Sequence, residues 1–104
     1  MTESKLEKFK KLLDKNPNNP LAHFSIANEC FKLKLFNETI IHIDNYLKLK
    51  EDEGAVYRML AECYLELDME KEAIEAYNKG IEAALKHGHE GMAEEFEESI
   101  SLIG

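Results

Sequence analysis

Residues 20–53, PLAHFSIANECFKLKLFNETIIHIDNYLKLKEDE, set above residues 54–87, GAVYRMLAECYLELDMEKEAIEAYNKGIEAALKH, decide the fold of this chain. At this offset of 34 residues apolar side chains fall on apolar side chains. The pairs include Ile26/Leu60, Ala27/Ala61, Phe31/Leu65, Leu33/Leu67, Leu35/Met69, Ile40/Ile74, Ile43/Tyr77 and Leu47/Ile81. Self-similarity at one fixed period of this size is the mark of a repeat architecture. Within each block, apolar residues recur at three- and four-residue spacing in two stretches, as amphipathic helices require. In the second block the first stretch is Tyr57, Leu60, Ala61, Tyr64 and Leu67; the next is Ala73, Ile74, Tyr77, Ile81 and Ala84. Two such helices joined by a tight turn make a helical hairpin.

The period, together with large-x2-Leu-small-x2-Tyr and then Ala-x3-aromatic at Tyr57, Leu60, Ala61, Tyr64, Ala73 and Tyr77, resembles the tetratricopeptide repeat. The first block carries a degenerate version: His23, Ile26, Ala27, Cys30, Thr39 and Ile43. Leu6, Phe9, Leu12, Leu13 and Pro17-Asn18-Asn19 match the second helix of a repeat and its closing turn. The resemblance implies one all-α domain, a right-handed solenoid of stacked hairpins. It comprises a half repeat at 3–19, repeats at 20–53 and 54–87, and a capping helix at 89–104 that follows after a register slip of about two residues. Six helices are expected, at about 3–15, 20–33, 37–50, 54–67, 69–87 and 90–102. Ser4-x-x-Glu7 reads as a capping box, Asn19-Pro20 as a cap followed by proline in the first turn. Asn37 and Asp68 are the candidate caps of the second helix of each block, and Gly88 suits a left-handed helix terminus.

Charge is distributed unevenly. Residues 1–50 hold nine lysines against six acids, a balance of +3; residues 51–104 hold fifteen acids against four bases, a balance of −11. Acidic surface repels phosphate, so no nucleic-acid partner is expected for the second half. No run approaches the length of a membrane span, and no apolar signal core follows the first residues, so a cytoplasmic setting and no membrane partner are expected. Two cysteines are too few for a disulfide framework. Both are expected to stay reduced, with Cys30 the more protected.

No catalytic constellation, cofactor loop or metal set can be assembled. His87-Gly88-His89 resembles a metal pair, but Gly88 breaks the helix there and nothing completes the site. Glu94-Glu95 and Glu97-Glu98 read as a solvated face. The expected activity is therefore binding, not catalysis. In the tetratricopeptide family the first helices of successive repeats line a concave groove. The resemblance carries its positions onto Leu21, Phe24, Asn28, Phe31 and Lys32, then onto Ala55, Arg58, Glu62, Leu65 and Glu66. Residues 21, 24, 28 and 31 form one helical stripe, distinct from the core stripe 23, 26, 27 and 30. Phe24 and Phe31 are either packing residues or an apolar floor for a bound peptide, flanked by Asn28 and Arg58 as polar anchors. One subset of the family clamps a terminal carboxylate through lysine and asparagine. Asn28 fits the asparagine position, but Phe24 stands in place of the lysine. The expected function is a protein-interaction module or adaptor that holds a peptide or helical segment, with basic residues favoured in the partner. The alternative is a scaffold subunit that homo-oligomerises through exposed stack ends.

Overall fold

A computed structural model describes residues 4–103, and within them the chain is all-α. Six helices follow in order: α1 (Lys5–Lys15), α2 (Pro20–Lys32), α3 (Phe36–Leu49), α4 (Ala55–Glu66), α5 (Glu70–Lys86) and α6 (Glu90–Ser101). Local chemistry starts the first two. Ser4 Oγ accepts from the Glu7 N–H at 3.2 Å, and Asn19 Oδ1 accepts from Leu21 and Ala22 N–H, with Pro20 at the first helical position. These side chains satisfy amide donors that a helix start leaves without partners. At α4 the acceptor is Asp52, whose Oδ2 takes the N–H groups of Gly54 (2.9 Å) and Val56 (3.0 Å).

Asn37 and Asp68 do not cap. The caps of α3 and α5 are Leu35 and Met69, neither with a side-chain cap bond; Asn37 lies inside the first turn of α3. The reason is the turn itself. The Leu35 N–H reaches back to Cys30 O (2.9 Å) and the Lys34 N–H to Phe31 O (3.0 Å). Met69 and Asp68 bond Tyr64 O and Leu65 O in the same way, as do His89 and Gly88 with Ala84 O and Leu85 O. This is the Schellman pattern, and its last residue serves directly as the cap of the next helix, leaving no place for a spacer. Its central residue must be left-handed: Lys34 has φ 60°, Asp68 58° and Gly88 77°.

The chain divides into two compact units, one ending at Glu51 and the next beginning at Asp52. In the first, α2 packs against both α1 and α3; in the second, α5 packs against both α4 and α6. Burial follows the 34-residue period. Ala22/Val56, Ile26/Leu60, Ala27/Ala61, Thr39/Ala73 and Ile43/Tyr77 are buried at both members of each pair. Thr39 meets its polar need by donating its hydroxyl to Leu35 O at 2.8 Å. The pair Tyr46/Gly80 differs in size with a consequence. Tyr46 fills its position against Phe24, whereas Gly80 opens a slot that receives Phe96 of α6, itself fully buried. A Cβ on Gly80 would stand 2.7 Å from that ring and 2.9 Å from Tyr57 Cβ. No helix among the described residues is long and apolar enough to cross a membrane.

Candidate functional site

α1 and α2 meet at an amphipathic seam that does not close. α1 contributes no buried residue, and between it and α2 lies a cleft of about 280 Å³ lined by Lys5, Phe9, Phe24, Ser25, Asn28, Glu29 and Lys32. Positions 24, 25, 28, 29 and 32 recur at helical spacing on α2, and Lys5 and Phe9 stand four residues apart on α1, so each helix offers one stripe. The floor is aromatic and the rim polar. Lys32 Nζ lies 3.5 Å from Glu29 Oε1, an exposed contact of little strength.

Three of the residues carried over for the groove line this cleft together: Phe24, Asn28 and Lys32. Phe24 is half-buried and also packs against Tyr46, with ring centroids 5.4 Å apart, so it is floor and packing residue at once. Leu21 is not in the lining and is 70% exposed. Phe31 is also outside it, set edge-on against Phe36 at 6.1 Å. Lys5, Phe9, Ser25 and Glu29 are not among the expected groove residues, because the family pattern directs attention to the first helix of each repeat and Phe9 reads as part of the half repeat. The signal was present in the four-residue spacing of Lys5 and Phe9.

Arg58, Glu62 and Leu65 belong to the second unit. Arg58 Nη2 donates to Glu95 Oε2 at 2.7 Å, and its guanidinium carbon lies 5.3 Å from the centre of the Phe96 ring. α6 thus holds this arginine through charge and ring face. Leu65 is half-buried, as is Glu62, whose carboxyl is pushed above its ordinary range by burial. Arg58 opposes that shift and Glu66 adds to it. Ala55 and Glu66 are exposed.

A second polar cluster lies between α2 and α3. His23, 7% exposed, places Nε2 2.9 Å from Pro17 O and Nδ1 3.2 Å from His42 Nδ1. Pro17 O can only accept, so His23 Nε2 carries the proton and donates. In the neutral ring His23 Nδ1 then accepts, and the proton between the rings sits on His42 Nδ1. Burial, then the neighbouring His23, lowers the pKa of His42. Also between α2 and α3, the Cys30 thiol lies 3.8 Å from Glu38 Oε2; burial, then the Glu38 charge, raises the thiol pKa. A protonated buried thiol is a packing group and a poor nucleophile. Cys63 is as fully buried as Cys30, contrary to the expected difference: it lies one position before the repeat partner of Cys30, on the inward side of α4.

His89 Nε2 lies 2.8 Å from Glu53 Oε1, and this contact lowers the pKa of that exposed carboxyl. Among the described residues no three His, Cys, Asp or Glu side chains converge as a metal site. Compared with models of known protein families and with curated proteins, the chain matches none.

Proposed function

We propose that the chain is a tetratricopeptide-type interaction module that seats a peptide or helical segment of a partner protein. The observation that carries this reading is the hairpin repeated at 34 residues, with the same turn hydrogen bonds and matched burial in both copies. Duplicated hairpins of this kind form right-handed solenoids whose surfaces serve as extended binding faces. In this reading Leu21, Phe24, Asn28 and Phe31 serve recognition on the first unit and Arg58, Glu62 and Leu65 on the second, each unit taken by itself, and the buried thiols Cys30 and Cys63 suit a reducing, cytoplasmic setting. The cleft beside Phe24 and Asn28 supplies an aromatic floor with amide and hydroxyl groups around it, the composition that peptide side chains dock into. Selection from a displayed peptide library tests it. The wild type should enrich a peptide family, and Phe24→Ala and Asn28→Ala should each weaken its binding in fluorescence anisotropy with the helical circular dichroism unchanged. Failure to enrich any family, or equal binding by both folded variants, would overturn the reading.

A second reading, self-assembly, is favoured by the exposure of large apolar side chains such as Leu33 and Ile41 as well as Leu21. Light scattering over a range of concentrations tests it: association lost on exchanging Leu33 and Ile41 for serine supports this reading, and association indifferent to both exchanges counts against it.

A further inference from the structure

The α1/α2 cleft has a basic rim, and the last helix of the same chain is acidic. Lys5 on α1 and Lys32 on α2 border the aromatic floor of Phe9 and Phe24; the one carboxylate in the lining, Glu29, already neighbours Lys32. On α6, Ala93 and Phe96 turn inward, while Glu94, Glu97 and Glu98 are exposed. Glu94, Glu98 and Leu102 follow one another at four-residue steps and so run along one side of the helix. Leu102, the helix's cap residue, still has helical backbone angles and is 81% exposed, more than any other large apolar side chain among the described residues. An exposed leucine one turn beyond a carboxylate complements an aromatic floor bordered by lysines.

We infer that the cleft of one copy receives α6 of a second copy, Leu102 resting on Phe9 and Phe24 and Glu98 and Glu94 meeting Lys5 and Lys32. The inference rests on the peptide-binding reading of the cleft and names its occupant. Charge asymmetry supports the choice of partner: +3 over residues 1–50 against −11 over residues 51–104 favours contact between the first half of one copy and the second half of another, and opposes contact between two second halves. Such a contact is heterologous, since different surfaces of the two copies meet, and a pair of copies keeps one free cleft and one free α6 for further addition.

Sedimentation equilibrium on the full chain tests the proposal. At low salt the average mass should rise with concentration and fall back as salt screens the pairing. Lys5→Glu with Lys32→Glu should weaken association by at least about tenfold, as should Glu94→Lys with Glu98→Lys. Mixing these two variants should restore association between them, because a basic α6 then meets an acidic cleft. Circular dichroism checks that each variant is folded, and Leu102→Ser, an exposed substitution, gives an uncharged version of the same test. A chain that stays monomeric at every concentration overturns the proposal, as does association indifferent to both charge pairs and to Leu102. Either result leaves the peptide-binding reading to its own library selection: an acidic peptide captured by the cleft of a monomeric chain would sustain that reading and exclude the second copy as occupant.

Discussion

His42 shows how one buried ring makes stability depend on pH. Its Nδ1–H is given to His23, whose other nitrogen ties down Pro17 in the turn between α1 and α2. A proton arriving at His42 meets burial and the His23 ring, with Lys10 of α1 also opposing it and only Glu38 in favour. The folded pKa therefore lies below the unfolded value of about 6.5. Between the two, the unfolded chain takes up a proton that the folded chain refuses, so the contribution is complete above the unfolded pKa and is lost as pH falls through the folded one. The melting temperature should drop on acidification from about pH 7.5 to about 5.5. His42→Asn keeps an N–H donor for His23 and cannot titrate in this range, so it should flatten that slope; an unchanged slope would place the pH dependence elsewhere. Gly80 makes the complementary point about space. Alanine favours a helix over glycine by about 1 kcal/mol. Here the added methyl would meet a fully buried Phe96 ring and the root of Tyr57, neither free to swing away. Overpacking costs about 1–3 kcal/mol, so Gly80→Ala should lower stability in a urea titration despite its helix propensity. A stabilised variant would show that α6 can shift outward.

The helices themselves were readable because each carries its apolar stripe and its end signals in consecutive residues. All six appear within a few residues of the expected bounds, and Ser4, Asn19 and Gly88 act as their chemistry dictates. The caps at Asn37 and Asp68 were misread because the Schellman turn is a backbone pattern with no spacer, and Lys34 gives no sequence sign of adopting a left-handed conformation. The candidate site was less legible. Phe24 and Asn28 stand on a visible stripe, but their neighbours Lys5 and Phe9 come from a helix distant in sequence. The His23–His42 contact likewise depends on how α2 and α3 align, not on spacing along either. The turns carry a prediction of their own. A side chain in the left-handed region costs about 1–2 kcal/mol, whereas glycine occupies it freely and loses part of that gain to unfolded-state entropy. Lys34→Gly should therefore stabilise the chain by about 0.5–1 kcal/mol. Asp68→Gly should gain less, since aspartate tolerates this region better than lysine. Thermal unfolding reads both; a destabilised Lys34→Gly would mean that the lysine side chain makes contacts outweighing its backbone strain.

At the scale of the molecule, the sequence period and the compact units place their boundary within three residues of one another: the repeat divides after Glu53, the structure after Glu51. Each unit holds a hairpin and one further helix, but the two added helices are not equivalent. α6 sends Ala93 and Phe96 into its unit, the Phe96 ring centre 5.5 Å from that of Tyr77 and its edge over the slot at Gly80. α1 buries nothing completely and leaves Leu12 exposed; its attachment rests on half-buried Leu6, Phe9 and Leu13 and on the turn held at Pro17. Local opening free energies track buried apolar contact, so protection should be uneven along the chain. Hydrogen exchange at neutral pH should find the amides of α1 exchanging first among the six helices. Those of α2, α4 and α5, which carry Ile26, Ala27, Leu60, Ala61, Ala73 and Tyr77, should exchange last. Replacing His23 with alanine should speed exchange in α1 more than in α5, because the lost bond to Pro17 O anchors only the turn after α1. Protection in α1 equal to that of α2 in the wild type would mean that the cleft is sealed in solution. The Lys5 and Phe9 stripe would then be a packing surface and not an open one.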